Sequence, residues 1–242
     1  MEYKIKYDYH THTTYSHGKG TIAENVRVAF EKGLSGIAIS DHGPGHLFYG
    51  VRLERIQEMR KEIDEQREIY KDMDIFLSVE ANIIHAGTGL DVDEQAIGAY
   101  DFVIAGYHFG VKNGYCGENF FHNLSNIALS GKKNLLTKNT DMAVKAIYEN
   151  PIKILTHPGG KGIFDIVEIA KACADRGTLL EISAHHKQLT IEQIKQVSKI
   201  DVQFIVSSDA HVPGQVGSCE PAIRRAMEAG LDMDRIVNIE RR

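Results

Sequence analysis

Short runs of Ile, Val, Leu and Phe alternate along the chain with longer stretches in which apolar positions recur every three or four residues. That rhythm predicts parallel strands joined by helices, because a parallel strand is covered on both faces while a crossover helix buries only one stripe. Seven strands are predicted, over Lys4 to Tyr9, Gly36 to Ser40, Asp74 to Ile83, Phe102 to Tyr107, Ile152 to Thr156, Thr178 to Ser183 and Val202 to Ser207. Thr21 and Glu24 have the spacing of a capping box, so a helix opens there, and Gly33 supplies its stop. The charged stretch from Arg52 to Tyr70 is predicted to be a solvent-facing helix.

No Pro-, Gly- or Ser-rich linker interrupts this alternation, so residues 1 to 242 are expected to form one α/β domain. The segment from Gly110 to Asn139 is longer and more polar than a simple connection, which makes it a candidate lid carrying extra helices. With 43% hydrophobic and 25% charged residues the chain supplies both a core and a solvated surface. A net charge of −5 disfavours nucleic acid as a partner, since no general pull toward phosphate backbones exists. No run reaches the ~18 apolar residues a membrane span needs, and the opening MEYKIKYDYH has no apolar signal core. Cys116, Cys173 and Cys219 are odd in number and form no CxxC pair. A cytoplasmic protein is expected on both grounds.

The twelve histidines change the picture through where they fall. His10 and His12 stand two apart at the end of the first predicted strand, where alternation sends both rings to one face. Their Cα atoms would be ~6.5 Å apart at a rise of about 3.3 Å per residue, within reach of one ion. Ordinary polar packing would explain that pair equally well. It does not explain the recurrence at other strand ends: Ser40-Asp41-His42, Glu80-Ala81-Asn82, His108, His157-Pro158-Gly159 and Ser208-Asp209-Ala210-His211. Strand ends carry the functional face of a β/α barrel. Acids such as Glu80 and Asp209 at the ends of apolar runs need compensation, and Arg and Lys are almost absent there.

The stretches HTH at 10 to 12, SDHGP at 40 to 44, VEANI at 79 to 83, AGYH at 105 to 108, THPG at 156 to 159 and SDAH at 208 to 211 resemble the polymerase and histidinol phosphatase (PHP) family. They stand in family order across nearly the whole chain, and the likeness is closest to the small stand-alone YcdX-like phosphatases. The resemblance implies a distorted (β/α)7 barrel of TIM-like kind and a metal-dependent phosphoesterase. It also implies three divalent ions. His10, His12, Glu80 and Asp209 would hold the first. Glu80 would bridge to a second, held also by His108 and His157, while His17, His42 and His211 would take the third. An imidazole-rich set of this kind favours Zn and also admits Mn or Fe.

Glu80, Asp209 and Asp41 are the candidate catalytic carboxylates. Asp41 is expected to orient a neighbouring histidine, with direct metal contact as the alternative. Asn82 shares the face of Glu80 and would fix that carboxylate, touch substrate or pack at the barrel mouth. The run from His157 through Lys161 to a helix expected near Gly162 offers backbone N–H groups to a phosphate, although the spacing is not that of a P-loop. His185 and His186 follow the sixth strand and lie near the rim, where related phosphatases carry small polar residues. His46, His85 and His122 match no ligand position and are expected on loops or surface. Cys116, with no paired base, is expected to be an incidental thiol.

The expected reaction is hydrolysis of a small phosphate monoester by water or hydroxide held between metal ions, with Asp209 or a rim histidine as proton donor. Three rivals stand beside it: a nuclease or phosphodiesterase with the same cluster, an amidohydrolase, and a non-catalytic metal-binding regulatory domain. Histidinol phosphate is a specific candidate substrate from the family name, but no arginine follows the rim motifs to clamp it.

Overall fold

In a computed structural model of the protein the residues described are 2–124 and 132–242, without the side chains of 121–133. Strands β1 (Tyr3–Ile5), β2 (Tyr7–Asp8), β3 (Gly36–Ile39), β4 (Asp74–Asn82), β5 (Phe102–Gly106), β6 (Ile152–Leu155), β7 (Leu179–Ser183), β8 (Phe204–Ser207) and β9 (Ile239–Arg241) alternate with helices. These are α1 (Ile22–Glu31), α2 (Ile56–Ile69), α3 (Glu94–Ile97), α4 (Cys116–Leu124), α5 (Lys132–Glu149), α6 (Ile166–Arg176), α7 (Ile191–Val197) and α8 (Glu220–Glu228). Strands β2 to β8 pair in sequence order, all parallel, in one seven-stranded sheet. A parallel bridge from Thr11 to Ala210 brings the extensions of β2 and β8 together, so the sheet curls into a nearly closed barrel. The expected (β/α)7 architecture is therefore present. Among the described residues no helix is long and apolar enough to cross a membrane.

Local signals worked where their chemistry is local. The Thr21–Glu24 capping box forms in both directions at the start of α1, and Gly33 takes the left-handed conformation (φ 70°) just past its end. Helix α2 lies within the charged stretch and buries only Ile56, Met59 and Ile63. The first predicted strand, in contrast, is two. Tyr3–Ile5 leaves the barrel to pair antiparallel with β9, a charged three-residue strand that sequence periodicity does not reveal. Gly110 to Asn139 contains α4 and the start of α5, and residues 125–131 of that candidate lid lie outside the described residues.

The gap between β2 and β8 at the barrel's lower end is filled by Asn238. Its amide nitrogen donates to Tyr7 O (2.7 Å) and Val206 O (2.6 Å), and its oxygen accepts from Val206 N (3.0 Å). Asn238→Ala would leave those backbone groups without partners, and such groups are expensive to bury unpaired. A loss of about 2–4 kcal/mol is expected, which calorimetry would read as a Tm lowered by about 5–10 °C. An unchanged Tm would show that closure does not depend on this residue.

Ile104, Ile154 and Ile205 plug the barrel interior, with Tyr9, Phe102 and Leu179 packed against them. Two residues further along the same faces the lining turns polar, at Thr156, Ser207 and Glu181. Gly106 occupies the corresponding place on β5, and a Cβ there would lie 2.8 Å from Glu80 Oε1. Only glycine leaves room for that carboxylate.

Candidate metal centre

The nine residues expected as ligands converge at the C-terminal ends of the barrel strands. Thr11 points outward and donates to Ala38 O (2.7 Å), which turns His10 and His12 on either side of it inward. His12 N donates to Ala210 O (2.8 Å) and Ser40 N to Thr11 O (2.9 Å), pinning the histidine segment between its neighbours. His157 (φ 27°) and Asp209 (φ 52°) have left-handed backbones at the points where the chain turns out of β6 and β8. Such a conformation costs a non-glycine residue about 1–3 kcal/mol and persists where a side chain is required in that place.

Glu80, fully buried on β4, lies at the middle. Its Oε1 stands 3.2 Å from His108 Nε2 and 2.9 Å from His157 Nε2 and accepts from Thr156 Oγ1 (2.7 Å). Its Oε2 faces His10 Nε2 (3.4 Å), His12 Nε2 (3.6 Å) and His42 Nδ1 (3.1 Å). Asp209 Oδ1 faces the same two nitrogens of His10 (3.5 Å) and His12 (3.2 Å). His17 Nε2 and His211 Nε2 approach within 2.5 Å on the outer side.

Sets of three donor atoms within 4.8 Å of one another include His10–His12–Glu80, His42–Glu80–His108, His10–His157–Asp209, His12–His17–His42 and His12–Asp209–His211. Together these five sets hold all nine residues. They overlap, and His42, assigned to the outer ion by resemblance, also reaches the inner carboxylate.

Ring orientation comes from residues that sequence reasoning missed or misassigned. Glu181 on β7 accepts from His10 Nδ1 (2.8 Å) and from His157 N (2.6 Å), and Ser207 Oγ also donates to it. With its Nδ1 engaged there, His10 turns Nε2 toward the cluster. Asn82 Oδ1 plays the same part for His108 Nδ1 (2.8 Å). Asn82 thus holds an imidazole rather than the Glu80 carboxylate. Its amide is itself oriented by Asp91, whose Oδ2 accepts from Asn82 Nδ2 (2.5 Å) and from Gly45 N (2.7 Å). His211 Nδ1 is engaged by Asp209 O (2.8 Å).

Electrostatics tie the centre together. Burial would lower His10, but the Glu80, Asp209 and Glu181 carboxylates hold it well above the ordinary histidine range. Burial would raise Glu80, yet His108 and His10 keep it well below the usual carboxylate range, and His10 and His12 do the same for Asp209. Burial lowers His108 to about 4 and His17 to about 3, so both rings are neutral near pH 7. Of ten buried side-chain polar atoms left without a hydrogen-bond partner among the described residues, six belong here: Nδ1 of His12, His17 and His42, Glu80 Oε2, His108 Nε2 and Asp209 Oδ1. Buried orphan groups of this kind call for a ligand. Imidazole nitrogens mixed with carboxylate oxygens are the donor set of Zn, Mn and Fe.

The remaining candidates fall in different places. Asp41 accepts from Thr13 N (2.8 Å), Thr13 Oγ1 (2.5 Å) and Ser16 Oγ, and stands 3.9 Å from His12 Nδ1. It thereby anchors the turn that presents His17. The expected phosphate-binding helix start near Gly162 is absent. Helix α6 begins four residues later, and Asp165 caps it by accepting from Val167 N (3.0 Å) and Glu168 N (3.2 Å). Lys161 nevertheless lines the pocket above the centre, as do His185 and His186. His186 Nε2 lies 3.3 Å from Asp209 Oδ2, and His185 stacks on His211 at 5.2 Å. His46, expected on loop or surface, is in a loop but buried, stacked on His42 at 5.1 Å and part of the pocket wall. His85 is exposed and stacks on Tyr115, while the side chain of His122 lies outside the described residues. Cys116 Sγ donates to Val111 O (3.2 Å).

The chain is similar over most of its length to known proteins. A probable phosphatase of Thermoanaerobacter sp. (strain X514) is 29% identical over 98% of this chain and 91% of its own length. A DNA polymerase/3'-5' exonuclease of Bacillus subtilis (strain 168) is 24% identical over 97% of this chain, which matches only 39% of that protein. The crystal structure of histidinol phosphate phosphatase from Lactococcus lactis, complexed with zinc, L-histidinol and phosphate, shares the fold. Its TM-score is 0.63 at 17% identity, covering 94% of each chain. The PHP domain model matches residues 8–185, which include seven of the nine converging residues, and the chain belongs to the PHP domain family.

Proposed function

We propose that the chain is a metal-dependent phosphoesterase that hydrolyses small phosphate monoesters at a cluster of three divalent ions, with zinc the best match to its ligands. The observation that carries this reading is the set of buried, unpartnered donor atoms of Glu80, Asp209, His12, His42 and His108 at the floor of one pocket. Bound ions would supply Lewis acidity and lower the pKa of water from 15.7 to about 7. The protein's own part is positional. Glu80 presents one oxygen to each side of the centre, Glu181 and Asn82 fix the rings of His10 and His108, and Asp41 holds the turn carrying His17. Asp209 turns Oδ1 toward the centre and Oδ2 toward His186 at the rim, so this pair is the path for a proton to the leaving oxygen. A cytoplasmic setting fits three cysteines, none of them disulfide-bonded.

The pocket holds about 360 Å³, the scale of a small ligand rather than a polymer. The polymerase relative favours a second reading, a phosphodiesterase or nuclease with the same centre. The net charge of −5 weighs against it. A parallel assay separates them: inorganic phosphate released from p-nitrophenyl phosphate, histidinol phosphate and other monoesters, against mononucleotides released from DNA, with metals counted by elemental analysis. Phosphate release by a metal-loaded protein is expected. Nucleotide release without monoesterase activity would overturn the proposal.

A further inference from the structure

Three rings in the pocket wall, Phe48, Tyr49 and Phe109, play no part in holding the centre. Phe48 and Tyr49 line one side of the mouth, with Phe109 and Gly110 alongside. Phe48 is 78% exposed and Tyr49 42%, an unusual exposure for large rings at the edge of a cavity. Tyr49 lies stacked on His17 at 4.6 Å, and Phe48 passes over Gly110, whose missing Cβ would be 3.5 Å from the ring. The loop that carries both rings is fixed. Leu47 N donates to Gly110 O (2.9 Å), His46 bridges Val111, and Gly45 N donates to the half-buried Asp91 that also orients Asn82. Aromatic wall and ligand shell therefore share one rigid support, which preorganises the wall relative to the reacting phosphate.

The chemistry of the lining limits what can sit there. Among the described residues the only carboxylates lining the pocket are Glu80 and Asp209, both engaged by imidazoles, so nothing at the mouth pairs with an ammonium group. Flat rings offer a face for stacking. Resting on the phosphatase reading, we infer that Phe48, Tyr49 and Phe109 form a leaving-group subsite for a flat, non-cationic aromatic or heteroaromatic group carried by the phosphate monoester.

Benzyl phosphate and cyclohexylmethyl phosphate test this, because their leaving alcohols have similar size but differ in flatness, and the modest difference in their basicity is common to wild type and variant and absent from phosphonate binding. The metal-loaded protein is expected to prefer the benzyl ester by about three- to tenfold in kcat/KM. Phe48→Ala should remove most of that preference, and Phe48→Tyr should keep it. Calorimetric binding of the two corresponding phosphonates supplies a readout that needs no turnover and should show the same order. Equal binding and turnover of the pair, or a preference untouched in Phe48→Ala, would overturn the subsite. So would loss of self-association in Phe48→Ala with selectivity unchanged, which would make the exposed ring a protein contact. Hydrolysis of neither ester with selective phosphonate binding retained would sink the phosphatase reading and leave the subsite standing.

Discussion

Glu80→Gln is expected to abolish the centre: bound metal should fall to a small fraction of the wild-type content, and kcat/KM on p-nitrophenyl phosphate should drop about a thousandfold or more. The substitution keeps the volume of the side chain and removes its charge. Five imidazoles, from His10, His12, His42, His108 and His157, face the two oxygens of Glu80 within 3.6 Å. An amide can present only one oxygen, so one side of the centre would meet N–H groups in place of a lone pair. Removal of metal from the wild type by chelation should reach the same low activity and be reversed by adding the metal back. Thermal stability supplies a second readout. A ligand that binds only the folded state at ~1,000 times its Kd adds about 4 kcal/mol. The wild type should gain Tm on zinc addition and Glu80→Gln should not. Full activity after chelation, or a normal metal content in the variant, would refute the assignment.

Eight of the nine candidate ligands were legible in the sequence because they stand at or just past the end of a predicted strand, whereas His17, in the loop after His12, was placed by family resemblance alone. Strand periodicity then puts side chains of like parity on one face, and parallel order puts every strand end on one rim. Glu80 in LSVEANI and Asp209 in IVSSDAH carry that signal in full. Glu181 in TLLEIS carries half of it: an acid inside an apolar run, but without the histidine that drew attention elsewhere. Asp91 carried none. It lies in an acidic loop beside Asp93 and Glu94, and its ties to Gly45 and Asn82 are made by tertiary approach alone. His46 is similar, a loop residue whose burial depends on the bridge to Val111. The split of the first strand was hidden for a related reason, since it is imposed by β9 from the far end of the chain. Asp165 was within reach, as an Asp directly before the apolar positions of α6 marks a helix cap better than the glycines upstream do.

Glu181 yields the second large effect, and it separates orientation from ligation because this carboxylate touches His10 through the far nitrogen. Oε1 accepts from His10 Nδ1 and from Ser207, and Oε2 accepts from His157 N, so all three partners are donors. Glutamine at this position must aim its NH2 at one of them. Either His10 or the His157 backbone then faces a donor, and the ring or the strained turn shifts. Burial would raise the Glu181 carboxyl, but His10 and His157 hold it below its ordinary range, which marks an ionised group at neutral pH. Loss of a carboxylate that orients a metal-binding histidine typically costs about 10–100-fold in affinity or activity. Glu181→Gln should show that loss mainly in kcat and in the zinc concentration needed for half-maximal activity, with KM moved less. Saturating zinc should restore part of the rate in Glu181→Gln and none in Glu80→Gln. Equal recovery in the two variants would place Glu181 among the ligands, and no loss in Glu181→Gln would show that His10 holds its orientation without it.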